Sequence, residues 1–320
     1  MNYLYPITAP YKSYTLAVSD IHTLHIEETG NPDGIPVLYL HGGPGGGLSP
    51  NYSSMFNPDI YRIIAFDQRG AGQSTPLAET RDNTTEDLLA DIEVIRQHCH
   101  VDRWLLFGGS WGATLALLAA IRTPKTVLGL VLRGVFLARE EDIDWFISPK
   151  GGAAQLYPEH YEAFTQDMSI DKTTSTREVC ELFEARFNQK NKFLQTDALR
   201  AWYGWEERIS RIQHPYVDPL TNYDLQQVSS LATLECHYLK SNCFISENYI
   251  LHNVATLSEL PVYIVHGRYD MICKLEASYL LQQALPNSTL NIVPDAGHST
   301  SEPNIAAALK DATDLMAKLI

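Results

Sequence analysis

Cysteine is scarce and unpaired in this sequence. The five residues Cys99, Cys180, Cys236, Cys243 and Cys273 form an odd set with no CxxC spacing. That excludes a disulfide framework and a cysteine-based zinc site, and predicts reduced thiols. Positive charge is also short: 24 Lys and Arg stand against 38 Asp and Glu, a formal net charge of −14. A field of that sign repels phosphate backbones and anionic headgroups, so neither nucleic acid nor a membrane surface is an expected partner. No uninterrupted apolar run approaches the ~20 residues of a membrane helix. The opening MNYLYPITAPYKSYTL has no basic-then-apolar leader pattern, so the expected location is cytoplasmic. HExxH is missing, and the His22/His25 and His98/His100 pairs have no accompanying ligand cluster. A metal site is not expected, and no cofactor is. Internal repeats and low-complexity tracts are absent.

What is present is enough apolar material, 45% of 320 residues, for a large core with an insertion. From about residue 14 to 137, short β-like runs alternate with helical or loop segments, the pattern of a mostly parallel sheet covered by helices. Leu16 to Val18 and His22 to Glu28 suggest an opening antiparallel pair. Pro36 to Leu40, Arg62 to Phe66, Trp104 to Phe107 and Gly129 to Leu132 read as strands buried on both faces. Leu88, Leu89, Ile92 and Ile95 recur at helical spacing after Asn83 and Glu86, which suit an N-cap and its N3 partner. Between about 138 and 250 the texture becomes helical and rich in aromatics, as in Arg177 to Asn188, Leu194 to Ile209 and Leu225 to Tyr238. Strand character returns at Pro261 to His266 and Leu290 to Val293, and Ala306 to Leu319 closes as an amphipathic helix. The expected organisation is an α/β core in two parts, 1–137 and 251–320, interrupted by a helical cap at 138–250.

The strand Trp104 to Phe107 runs into Gly108-Gly109-Ser110-Trp111-Gly112 and then the apolar helical stretch Ala113 to Ile121. Gly-x-Ser-x-Gly between a strand and a helix is the turn that exposes a nucleophilic serine in the α/β-hydrolase fold. A serine hydroxyl needs a base to take its proton and a carboxylate to orient that base. In this fold the chain order is serine, acid, histidine, with the last two on loops after late strands. Gly267-Arg268-Tyr269-Asp270 follows one such strand and Asp295-Ala296-Gly297-His298 the next. Ser110, Asp270 and His298 are therefore the expected triad. Asp295 is the rival acid, but it shares the histidine's loop. His266, within a strand, and His41, within the glycine turn, read as structural.

Acyl transfer also needs donors for the tetrahedral oxyanion. The amide of Trp111, just after the nucleophile, is one. The second is expected from His41-Gly42-Gly43-Pro44-Gly45-Gly46-Gly47, with Gly43 the chosen residue. A glycine-rich loop can instead cradle phosphate, but no GK[ST] ending follows.

HGGPGGG, Asp67-Gln68-Arg69-Gly70-Ala71-Gly72-Gln73-Ser74, GGSWG, GRYD and AGHS together resemble the proline iminopeptidases, or prolyl aminopeptidases, over nearly the whole chain. The resemblance implies metal-free hydrolysis of an amino-terminal proline from a peptide. Ala201-Trp202-Tyr203-Gly204-Trp205-Glu206 is similar to the family's tryptophan-rich segment, whose glutamate binds the substrate amino group. Leu234-Glu235-Cys236-His237-Tyr238 is similar to a second segment with the same role. By spacing alone, Glu206 and Glu235 read as ordinary helix-surface glutamates; the resemblance makes them the ammonium site. It also implies a proline pocket with Phe136, Phe146 and Cys273, and Trp205 beside the amino-group site. Glu207 and Cys236 depart from the family's usual wording, which leaves strict proline preference open. The alternatives are a broader aminopeptidase or amidase, a small-ester hydrolase, or a silent binding module on the same scaffold. The aspartate-nucleophile dehalogenases and epoxide hydrolases are disfavoured by Ser110. Oligomeric state is not legible.

Overall fold

The structure is a computed structural model that describes residues 4–212 and 225–320. The expected cap thus includes a stretch, 213–224, outside the described residues. Among the described residues eight strands form one sheet: β1 Lys12–Ala17, β2 Thr23–Gly30, β3 Ile35–Leu40, β4 Tyr61–Phe66, β5 Trp104–Ser110, β6 Val127–Val135, β7 Val262–Gly267 and β8 Ser288–Val293. Their order is β1-β2-β4-β3-β5-β6-β7-β8. The β1–β2 and β2–β4 pairs are antiparallel, and β4, β3, β5, β6, β7 and β8 run parallel to one another. The chain belongs to the α/β class anticipated above.

Parallel strands buried on both faces need apolar residues at every position, yet each face receives alternate side chains. In β5, Leu106 joins one core while Leu105 and Phe107 join the other; in β6, Leu130 and Leu132 oppose Val131 in the same way. Helices α1 Thr85–His98 and α2 Trp111–Arg122 cover the first face. Ile305, Leu309 and Met316 of the closing helix Pro303–Met316 cover the second.

Between β6 and β7 the described regular elements are helical: α3 Glu140–Ile147, α4 Gly152–Leu156, α5 Pro158–Phe164, α6 Thr176–Phe187, α7 Lys192–Ile209, α8 Leu225–Lys240 and α9 Tyr249–Asn253, with short 3-10 turns. α10 Leu275–Ala284 and α11 Pro303–Met316 follow β7 and β8. The aromatic character of the inserted stretch is used for packing: Phe164 stacks on Phe183 and Trp205, with ring centroids 4.6 and 5.6 Å apart. Among the described residues no helix is long and apolar enough to cross a membrane.

One local expectation shifts by a residue. The N-cap of α1 is Thr84, with Asp87 as its N3 partner, in place of Asn83 with Glu86. The Asn83 amide is committed elsewhere, donating to the carbonyls of Arg69 and Glu79, while its Oδ1 accepts from Tyr238. Because six parallel strands end along one edge, the loops after β3, β5, β6, β7 and β8 gather there, the usual place for a site in such a sheet.

Candidate active site

Ser110 is the hinge between β5 and α2, and its backbone is held at φ 58° and ψ −125°. A non-glycine residue pays for that conformation, which recurs where geometry serves function. The neighbours must be small. A Cβ at Gly112 would stand 2.1 Å from the carbonyl oxygen of Leu40, and one at Gly109 would meet Arg133 Nη2 at 2.6 Å. Trp111 begins α2, so its N–H is among the helix's unpaired donors beside the serine.

Asp270 lies on the loop after β7 and His298 on the loop after β8. The Nδ1 of His298 is 2.7 Å from Asp270 Oδ2. The other carboxylate oxygen accepts from the amides of Ile272 and Cys273, at 3.0 and 2.8 Å. Burial opposes ionisation of Asp270, but the His298 contacts and those donors outweigh it and hold the carboxyl below its usual range. Burial also lowers His298, against the pull of Asp270, so the ring is a neutral base with its N–H on the acid side. Asp295 is exposed and is not the partner. Gly134, between Arg133 and β6's end, leaves room for the pair: a Cβ there would be 3.0 Å from His298 Nδ1 and 3.1 Å from Asp270 Oδ2.

Ser110 and His298 share no direct hydrogen bond among the described residues. The hydroxyl is 3.8 Å from Cys273 Sγ. The lone pair of His298 Nε2 faces Arg133 Nη1 at 2.6 Å. The acid and base are therefore paired, while the base nitrogen that would serve the hydroxyl is held by a guanidinium.

The glycine loop packs on the nucleophile: a Cβ at Gly42 would lie 3.4 Å from Ser110 Cβ and 4.0 Å from its Oγ. Gly43 has φ +107° and no space for a side chain, with the amide nitrogens of Gly45 and Gly46 at 2.7 and 2.8 Å from the Cβ position. A hydrogen-bonded chain ties this loop to α2. His41 Nδ1 donates to the Gly42 carbonyl, Gln68 N donates to His41 Nε2, and Trp111 Nε1 donates to Gln68 Oε1, all at 2.9 Å. Burial lowers His41, consistent with this neutral, bridging state. Asp67 accepts from Leu48 N and Gln73 N at 2.7 and 2.9 Å, so the segment from Asp67 onward is the buttress of the glycine loop.

Glu206 on α7 and Glu235 on α8 are buried close enough for each carboxyl to act on the ionisation of the other. Trp202, one helical turn before Glu206, donates its indole N–H to Glu235 Oε2 at 2.7 Å. Glu206 Oε2 is sealed from solvent and has no hydrogen-bond partner. Burial, then the charge of Glu207, pushes Glu206 up to about 7 despite the lowering influence of Arg133. Burial, then Glu206, pushes Glu235 well above the carboxylate range. Two buried acids set against each other, one with an idle acceptor oxygen, suit a cationic group. Among the described residues, no group of three or more His, Cys, Asp or Glu side chains is placed to hold a metal ion.

Residues 35–304 match the family described as alpha/beta hydrolase fold. The chain is 43% identical over 318 residues to a probable proline iminopeptidase of Leptolyngbya boryana, covering 98% of this chain and 97% of that one. It is 43% identical over 319 residues to a proline iminopeptidase of Arabidopsis thaliana, covering 99% and 83%. The chain belongs to the proline iminopeptidase family. A solved esterase of Exiguobacterium antarcticum superposes with a TM-score of 0.65 at 18% identity, covering 95% of this chain and 99% of that one, and so shares the fold alone.

In this proline iminopeptidase family member the remaining expected residues fall into two groups. Cys273 reaches the nucleophile, its thiol kept neutral chiefly by burial. Phe136 is half-buried, on the loop leaving β6. Phe146 and Trp205 are core residues: the Trp205 indole donates to the Phe146 carbonyl at 3.1 Å and its ring packs on Phe164 and Tyr161. Sequence reasoning missed Arg133, Trp202 and Gln68. An arginine inside the apolar run of β6 was the available signal for the first, and the i, i+4 spacing of Trp202 and Glu206 for the second. Gln68 carried no signal apart from its motif.

Proposed function

We propose that this protein is a serine exopeptidase that releases an unblocked amino-terminal proline from peptides through an ester on Ser110. The observation that supports the reading is the Glu206–Glu235 pair with its idle, buried oxygen, linked to the Asp270–His298 pair through Arg133, which bonds His298 Nε2 and lowers Glu206. A prolyl ammonium placed there makes charge-assisted hydrogen bonds to both carboxylates and relieves their repulsion. Residues 138–250 serve as the cap that supplies this amino-group site, and 1–137 with 251–320 as the core. Phe136 and Cys273 line the ring pocket, while Phe146 and Trp205 shape it from the core behind.

The steps follow from the residues. The guanidinium of Arg133 gives up His298 Nε2, and the Ser110 hydroxyl takes its place. The hydroxyl oxygen attacks the first carbonyl carbon as His298 accepts its proton, and the amides of Gly43 and Trp111 bind the oxyanion. Collapse breaks the peptide bond, the departing amine takes the proton from His298, and a prolyl ester remains. Water gives a proton to His298 and attacks the ester; Ser110 leaves as the alkoxide and recovers that proton, freeing proline. Losing one oxyanion donor costs about 3 kcal/mol of transition-state stabilisation. This chemistry uses side chains and backbone amides alone, with a peptide as partner, and suits a cytoplasmic location.

The test is a panel of aminoacyl arylamides with N-acetylprolyl arylamide as the control. Fast turnover of the free prolyl compound and none of the blocked one is expected. Equal rates on the two would rule out an ammonium-reading exopeptidase, and equal rates on prolyl and alanyl compounds would rule out proline preference.

A further inference from the structure

His266 is the penultimate residue of β7 and is fully buried. Its Nε2 is 2.9 Å from the carbonyl oxygen of Cys273 and 3.4 Å from Asp270 Oδ2, and its Nδ1 is 2.6 Å from Ser278 Oγ on α10. A carbonyl oxygen only accepts, so Nε2 carries the proton, and Nδ1 accepts the Ser278 hydroxyl. The ring is thereby fixed in one neutral tautomer whose N–H points at the loop from Asp270 to Cys273.

We propose that His266 is a positioning residue for the acid of the triad, acting through Asp270 and the Cys273 carbonyl, with Ser278 setting its tautomer. The proposal rests on the reading of Asp270 as that acid. Each oxygen of the carboxylate then has a defined set of donors. Oδ1 takes the amides of Ile272 and Cys273, and Oδ2 takes His298 Nδ1 at 2.7 Å, with His266 Nε2 3.4 Å away as a neighbouring dipole. The carboxylate group rotates easily about its terminal torsion when free, and this set pins the orientation that presents Oδ2 to His298. The bond to the Cys273 carbonyl also clasps the loop that carries those two amides. Burial keeps the His266 ring neutral in spite of Asp270. The ionisable groups that interact with it are Asp270, Arg133 and His298, and from Cys273 it meets the backbone carbonyl. A histidine that only filled the core would change stability and leave the titration of His298 alone.

His266→Leu, His266→Gln and Ser278→Ala are compared with the wild type on prolyl arylamide, with Asp270→Asn as the reference for the triad. His266→Leu is expected to lower kcat about two- to tenfold, the effect of one hydrogen bond to a neutral carbonyl, with KM changed by less than about twofold. The acid limb of the pH profile is expected to move upward, because a carboxylate relieved of the His266 dipole stabilises the His298 imidazolium more. The amide nitrogen of Gln reaches the same place, so His266→Gln recovers most of kcat, and Ser278→Ala shows a smaller loss of the same kind. If His266→Leu does not fold, 15N-histidine NMR of the wild type decides: His266 stays Nε2-protonated and neutral through the pH range in which His298 titrates. A folded His266→Leu with wild-type kcat and acid limb overturns the proposal, as does an Nδ1-protonated or cationic His266 in that range. Wild-type turnover by Asp270→Asn would instead remove the triad reading itself, whatever the His266 variants do.

Discussion

Glu235 illustrates at the scale of one residue how a buried carboxyl is held against the fold's own preference. Its carboxyl is buried against Glu206 and pushed well above the ordinary range, and Glu206 is pushed up to about 7. A group with a raised folded pKa contributes its full stability below the unfolded value and loses it as pH rises through the folded value. Between the usual carboxylate pKa and about 7 or above, then, the free protein is progressively strained by this pair. Glu235→Gln is expected to raise Tm by roughly 2 °C or more near pH 8 and to have little effect near pH 4.5, while KM for prolyl arylamide rises steeply and turnover of a neutral ester changes little. A lower Tm than wild type near pH 8 contradicts this account. The same residue shows what the sequence could and could not reveal. The strand–helix turn at Ser110 and the pairing of Asp270 with His298 were legible because each residue is announced by its own strand and turn, in a fixed chain order. Arg133 was not, because its partner is 165 residues away and only the sheet brings β6 beside the loop after β8.

At the scale of elements, the decisive contact is between α8 and the glycine loop. Ser230 donates to the carbonyls of Gly45 and Gly70, at 3.0 and 2.7 Å, and Gly45 has no room for a Cβ, which would lie 2.6 Å from the Ser230 carbonyl oxygen. The helix that carries Glu235 is thus tied to the loop that carries Gly43, which on the proposed reading couples the amino-group site to the oxyanion donors. Ser230→Ala leaves those carbonyls without this donor, and a loss of about 1–3 kcal/mol is expected. Thermal unfolding measures it, and kcat on prolyl arylamide should fall more than on a small ester, since only the former needs both halves in register. Equal falls on both substrates contradict the coupling. The helices of this region were legible from their 3.6-residue periodicity, but their docking was not. The cap of α1 was misplaced by one residue for a related reason: Asn83 is drawn into bonds with Arg69, Glu79 and Tyr238, partners that local pattern does not contain.

At the scale of the whole molecule, alternation within β5 and β6 builds two cores from one apolar sheet, and the common direction of six strands brings their carboxyl-terminal loops to one edge. That topology followed from the order of strands and helices in the sequence. It gathers chain segments at 41–47, 110, 133–136, 270–273 and 298, and Glu206 of α7 lies near enough to be influenced by Arg133. His298 N and Ser299 N both donate to the Ser210 carbonyl, at 2.8 and 2.9 Å, so the end of α7 also fixes the loop of the base. All of this predicts one covalent event, on Ser110, with the neutral thiol of Cys273 3.8 Å away as the neighbouring group the measurement must tell apart. The most direct measurement is rapid acid quench during turnover of an activated prolyl ester, followed by intact mass and peptide mapping. A prolyl group on Ser110, absent from Ser110→Ala, is the expected result; a prolyl group on Cys273, or undiminished turnover by Ser110→Ala, contradicts it.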